Sequence, residues 1–186
     1  KGVIRDWLAG VEWRSRNIWL EAEYTERFFN HEHKPGARLS GWYDFNDNWR
    51  IGSQLERLSH RVPLRAMKNG VTGNSAQAYV RWYQNERRKY SVSWAFTDFS
   101  DSNQRHEVSL EGQERIWSSP YLIVDFLPNL YYEQNTEHDT PYYNPIKMFD
   151  IVPAFEASHL LWRSYENSWE QIFSAGVGAS WQKHYG

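Results

Sequence analysis

The sequence predicts an all-β chain, a transmembrane antiparallel up-and-down β-barrel wall of about ten strands. Three observations carry this: apolar and polar residues alternate with a period of two along most of the chain, the apolar frames contain no charge, and the connections alternate between short and long.

The strands follow in chain order from their apolar frames. The first three are Val11, Trp13 and Ser15; Ile18, Leu20, Ala22 and Tyr24; and Leu39, Gly41, Tyr43 and Phe45. Next come Trp49, Ile51, Ser53 and Leu55; Ala78, Val80 and Trp82; and Tyr90, Val92, Trp94 and Phe96. The remainder are Val108, Leu110 and Gly112; Leu122, Val124 and Phe126; Phe155, Ala157, His159 and Leu161; and the odd positions from Trp169 to Trp181. None of these positions is Lys, Arg, Asp or Glu, in a chain that is 24% charged. Pro128 lacks an N–H for a ladder, which places it at a bulge or strand end.

Short connections are expected near 15–16, 46–48, 85–89, 113–118 and 165–168, and long ones at 27–38, 56–75, 98–104 and 133–150. Tight periplasmic turns and long outer loops alternate in this way in transmembrane barrels. On that reading both chain ends emerge on the outer side, and 181–186 lacks a Phe-terminated closing strand. Strands are therefore expected to be missing at both ends, the 186 residues forming one barrel domain without its terminal strands or any periplasmic domain.

Composition narrows the classes. The net charge is −2 and the pI about 6.4, which does not suggest a nucleic-acid partner. Cysteine is absent, removing disulfides and thiolate metal sites. Mean hydropathy is −0.80, and no run approaches the roughly 18 apolar residues of a membrane helix. Residues 1–6 hold no apolar stretch of a signal peptide, pointing to a mature protein or an excised piece. Eleven Trp, twelve Tyr and nine Phe suit strands, sugar-stacking surfaces and membrane interfaces. Trp7, Trp117, Trp162, Trp169 and Trp181 lie near strand ends, where an interfacial girdle would put them.

The complementary frame is the candidate lumen. It carries Glu12, Glu21, Glu23, Asp44, Glu56, Glu107, Glu111, Asp125, Glu156 and Glu170, against Arg14, Arg50 and Arg81. Most other basic residues fall in loops. An acidic lumen in low-dielectric walls concentrates cations, so a cationic or neutral solute is expected. Trp19, Trp42, Tyr79, Tyr83 and Tyr121 share this frame, and rings along a polar track suit sugars, whose hydroxyls bond to nearby carboxylates. Carboxylates on the wet face of any sheet would look the same, and the rings could equally fill a lumen.

No catalytic residue, metal or cofactor is expected. His31 and His33 have ligand-like spacing without a third ligand nearby, a row of acids lacks the raised pKa and fixed carboxyl separation of a glycosidase, and no Gly-rich phosphate loop or nucleophile elbow occurs.

Thr140-Pro141-Tyr142-Tyr143-Asn144-Pro145, Leu161-Trp162-Arg163-Ser164-Tyr165 and Ser180-Trp181-Gln182-Lys183-His184-Tyr185-Gly186 together resemble the barrel of the outer-membrane exporters of poly-β-1,6-N-acetylglucosamine (the PgaA/HmsH type). The clearest stretch is 140–186; upstream, strand rhythm and aromatic richness agree. The resemblance implies a sixteen-stranded porin in the bacterial outer membrane, fed by a periplasmic repeat domain. Through it a partly deacetylated biofilm polysaccharide would leave along an electronegative path. It also implies outer-membrane lipid around the wall, and a periplasmic deacetylase and inner-membrane synthase as partners. The rival reading from the residues is a soluble all-β carbohydrate-binding domain; a barrel hydrolase acting on lipids finds no Ser–His constellation to support it.

Overall fold

The computed structural model describes residues 4–29, 32–137 and 139–183. They form one antiparallel sheet: β1 (Ile4–Arg14), β2 (Ile18–Phe29), β3 (Glu32–Asp44), β4 (Trp49–Arg57), β5 (Gly73–Asn85), β6 (Arg88–Phe99), β7 (Gln104–Ser118), β8 (Leu122–Leu127), β9 (Asn129–Asn135), β10 (Lys147–Ile151), β11 (Ala154–Ser164), β12 (Asn167–Gly176) and β13 (Ala179–Lys183). Each pairs with its sequence neighbour from β1 to β7, an up-and-down meander. Strands of 9 to 15 residues over this region cover the roughly 9–11 that a tilted membrane strand needs, with overhang at the rim.

Three of the thirteen strands continue their predecessor across a break. Pro128 separates β8 from β9, Val152-Pro153 separates β10 from β11, and Val177-Gly178 separates β12 from β13. This leaves ten extended runs, the number expected. The breaks lie side by side, because Gly112 donates to the Pro128 carbonyl at 3.0 Å, Val152 to Asn129 at 2.8 Å and Val177 to Pro153 at 3.2 Å. They form a seam across four runs, where prolines cost the ladder nothing because pairing is already interrupted.

Local chemistry sets the turns. The Asn46 side chain accepts from the amides of Asn48 and Trp49 at 2.9 and 3.0 Å, and that of Asn85 from Arg87 at 2.8 Å. One rim carries only short connections, at 15–17, 45–48, 86–87, 119–121 and 165–166. The other carries 58–72 and 136–146, and both described long loops therefore lie at one end. The alternation is less strict than expected. Most of 27–38 is strand, paired from Glu26↔Pro35 inward, and the 98–104 connection shrinks to 100–103. Residues 113–118 continue β7 across a bulge between Arg115 and Trp117, with the turn at 119–121. Alternating pattern is hard to see in these segments because Lys, Arg and Pro occupy overhanging strand that neither lipid nor a core selects.

The register makes each face continuous. Val11 lies opposite Ala22, Ala22 opposite Leu39, Leu39 opposite Leu55 and Leu55 opposite Ala76, and the apolar frame proceeds through Phe96 and His106. Val11 is 74% exposed, Trp169 65% and Phe173 60%. Among the described residues no protein layer covers this face. So large an open apolar surface is untenable in water and suits lipid, which sets aside the soluble-domain reading. Toward the short-turn rim it ends in Trp13, Trp49, Trp82, Tyr90, Trp117, Trp162 and Trp169; Trp82 packs against Trp49 and Tyr90 at 6.3 and 6.0 Å. Of the predicted girdle residues, Trp117, Trp162 and Trp169 stand here, while Trp7 and Trp181 stand near the long-loop rim.

The opposite face is polar, yet Ser40, Thr97, Asp125 and Glu133 on it are buried, as on the concave side of a curved sheet. Near its long-loop rim, residues 58–72, with helix α1 (Leu64–Lys68), meet residues 136–146. There Val62, Ala66, Val71, Phe99 and Tyr142 form a small apolar cluster. The sheet has free edges at β1 and at β12 and β13.

Candidate functional site

Cross-strand register sorts the concave face into tiers. Nearest the short turns, Asp44, Arg50, Arg81, Ser91 and Glu111 follow one another on successive strands. The next tier runs Arg14, Trp19, Trp42, Gly52, Tyr79, Ser93, Ser109 and Tyr131. Above it stand Glu12, Glu21, Ser40, Gln54, Gln77, Ala95, Glu107 and Glu133, then Glu23, Arg38, Glu56, Ser75, Thr97, Arg105 and Asn135. Two residues along a strand, about 7 Å, separate one tier from the next.

The aromatic tier is organised by contact. Trp19 and Trp42 stack at 6.4 Å with 16° between planes. The Arg50 guanidinium sits 3.6 Å from the Trp42 ring centroid, fixed there by two bonds to Asp44 at 2.6 and 2.9 Å. Arg81 lies 5.7 Å from the Tyr79 ring. Gly52 stands where the Tyr79 ring crosses the sheet, and a Cβ there would overlap the ring. Asp44 thus positions a cation, which positions a tryptophan face. Tyr83 lies beyond this tier toward the turn, opposite Lys89, and is exposed. Tyr121 sits in the 119–121 turn, off the strand face.

The carboxylates divide into two groups. Glu23 pairs with Arg38 at 2.6 Å, and the same guanidinium reaches Glu21 at 3.7 Å. Asp125 takes Arg115 at 2.9 Å and Gln113 at 2.5 Å. Buried Glu56 accepts from Ser59 at 2.7 Å and from the His60 amide at 3.2 Å. By contrast Glu12, Glu111 and Glu156 form no ion pair among the described residues. Glu12 faces Glu21 and Glu156 faces Asp125, like charges directly opposite, a costly arrangement for stability alone.

The sequence reading missed several partners. Arg38 and Arg105 precede the apolar frames from which their strands were recognised, and Arg115 lies just before a bulge. Their alternation with Leu39, His106 and Glu114 was the available signal. A long-range contact could not be seen at all: Arg61, from the 58–72 loop, reaches Glu107 at 3.0 Å and Gln77 at 2.9 Å. Tyr131 offers one phenol proton to two carboxylates, Glu107 and Glu133, each at 2.7 Å. Arg105 joins Glu133 at 3.2 Å and Asn135 at 3.0 Å, and Asn103 ties Asn144 into the same network at 3.1 Å. This network docks the 136–146 loop. Of the two histidines with ligand-like spacing, His31 lies outside the described residues, while His33 pairs with Glu26 at 3.1 Å. Among the described residues no three His, Cys, Asp or Glu side chains gather as a metal site would need.

Comparison with known proteins places the wall. The model of the PgaA membrane beta barrel domain matches residues 1–186. Poly-beta-1,6-N-acetyl-D-glucosamine export proteins of Escherichia coli K12 and O157:H7 are each 96% identical over the whole chain, which spans 23% of their length. A solved structure described as a bacterial polysaccharide outer membrane secretin superposes with a TM-score of 0.90 at 97% identity, over 98% of this chain and 63% of that one. The sheet is therefore part of an outer-membrane β-barrel, and its exposed apolar face is the lipid side.

Proposed function

We propose, from the premise that this chain belongs to the PgaA membrane β-barrel domain family, that its concave face is a stretch of a polysaccharide export path. The cargo is poly-β-1,6-N-acetylglucosamine, partly deacetylated and so partly cationic. The observation that carries the reading is the pair of adjacent tiers, rings below and carboxylates and amides above. Trp19, Trp42 and Tyr79 offer faces to the C–H surface of a sugar, while Glu12, Glu21, Gln54 and Gln77 stand one tier away to meet hydroxyl, acetamide or ammonium groups. Glu23, Asp44, Glu56, Glu111, Asp125 and Glu156 extend the acidic surface on either side.

The wall makes and breaks no covalent bond in this reading. Each contact is weak and repeated, so the polymer moves from one to the next without a trap. Asp44 fixes Arg50 over the Trp42 ring and Trp19 stacks on that ring, so the aromatic tier is held in place before a chain arrives. A cargo that arrives partly deacetylated requires an inner-membrane synthase and a periplasmic deacetylase upstream.

The test is polymer secretion by the full-length exporter carrying Trp19→Ala and Trp42→Ala together. Loss of two stacking steps, each about 1 kcal/mol, is expected to cut secreted polymer about tenfold or more while heat-modifiable gel mobility stays normal. Undiminished secretion from a correctly assembled double variant would overturn the assignment.

A further inference from the structure

On the lipid side the apolar band ends sharply near the long-loop rim of β9, β10 and β13. Tyr132, Phe149 and Trp181 form one cross-strand row. The next row, two residues nearer the rim, is Gln134, Lys147 and Lys183. The Tyr132 hydroxyl donates to Gln134 at 2.9 Å, a phenol whose ring lies in the apolar row and whose polar tip reaches into the polar one. That marks the level at which hydrocarbon gives way to headgroups.

At that level Lys147 and Lys183 lie directly opposite each other. Two like charges facing across an antiparallel pair repel, and neither has a carboxylate partner among the described residues. Both point to the lipid side, as Phe149 and Trp181 two residues along do, so the acidic concave face cannot compensate them. His106 stands in the same row, opposite Gln134. The register sets two lysines opposite each other at the membrane boundary, where a single anion of charge near −2 would relieve both.

We propose that Lys147 and Lys183 form a site for a phosphorylated lipid headgroup of the surrounding leaflet, bound with its acyl chains along Phe149 and Trp181. The ligand chemistry is a phosphate monoester anchored in the bilayer; free phosphate has the charge without the anchor and is the competing source.

The experiment uses the full-length barrel protein, extracted in a non-ionic detergent and exchanged with a phosphorylated glycolipid or its enzymatically dephosphorylated counterpart, with bound lipid read by native mass spectrometry. The wild type is expected to retain the phosphorylated form preferentially. In a Lys147→Gln, Lys183→Gln double variant, retention should fall roughly thirty-fold, about fivefold for each cation near a charged surface. Binding of the dephosphorylated form should not change. Inorganic phosphate at millimolar concentration should displace little of the lipid. Equal retention of the two lipid forms by the wild type, or unaltered retention by a normally heat-modifiable double variant, would overturn the proposal, the latter indicating that a carboxylate on an adjoining strand already neutralises the pair. Full displacement by inorganic phosphate would overturn it in favour of a free-anion site.

Discussion

Tyr142 shows how one side chain couples loop to wall. It is 2% exposed, its hydroxyl donates to Asp101 at 2.9 Å, and its ring lies 5.9 Å from Phe99. Burial, with the nearby Asp101 carboxylate, pushes the phenol up to about 12. Its folded pKa is thus above the ordinary value of about 10. Its contribution is present in full below pH 10 and is lost as pH climbs toward 12, where the buried phenolate would have to form. In an ultraviolet phenolate titration, the difference between wild type and Tyr142→Phe isolates this group. A midpoint near 12 is expected, and one near 10 would mean that the loop is not docked in solution. Tyr142→Phe itself should cost about 1 kcal/mol through the lost hydrogen bonds. At this scale the sequence was informative about identity and parity. Trp19, Trp42 and Tyr79 were assigned to one face by counting in twos. That Arg50 would cap Trp42 depends on χ angles and a cross-strand Asp44, which periodicity does not encode.

Two elements depart from the regular wall. The 58–72 loop is held over the concave face by Arg61, which bonds Glu107 and Gln77 on strands β7 and β5. Arg61→Ala removes a charge-assisted contact of about 1–3 kcal/mol. It is expected to raise the rate of limited proteolysis between residues 62 and 72 several-fold, with the barrel still heat-modifiable; an unchanged cleavage rate would show that Val62, Ala66 and Val71 suffice to dock the loop. The second element is the seam at Pro128, Pro153 and Gly178. Gly112 abuts it, and a Cβ there would stand 2.5 Å from the Tyr90 ring and 2.9 Å from the Pro128 ring. Gly112→Val should therefore cost about 1–3 kcal/mol by overpacking, seen as a lower midpoint of the heat-modifiable transition. Pro128 was legible as an interruption because it lacks an N–H. The matching breaks in the two neighbouring runs were not, since only the register aligns them.

At the scale of the whole wall, the two faces were the most legible feature, because lipid demands an unbroken apolar frame and tolerates no charge within it. The electrostatics of the other face were less so, because guanidiniums such as Arg38, Arg105 and Arg115 enter from strand ends and cancel acids that appear solitary in sequence. This changes what neutralisation should do. Glu21, Glu23, Asp44 and Asp125 hold Arg38, Arg50 and Arg115. Converting all four to amides removes four negative charges and leaves those guanidiniums uncompensated, so single-channel reversal potentials of the intact barrel should shift strongly, toward anion preference. Glu12, Glu111 and Glu156 restrain no cation among the described residues, and their triple amide variant should lower cation preference by a smaller step with the fold undisturbed. The contrast is best measured well below 0.1 M salt, where the Debye length exceeds about 10 Å and the face acts on ions it does not touch. A quadruple variant that is no more shifted than the triple would mean that the ion pairs are open in the membrane. If neither variant moved the reversal potential, this face would not border the conducting path, and the tiers of rings and acids would belong to a sealed interior.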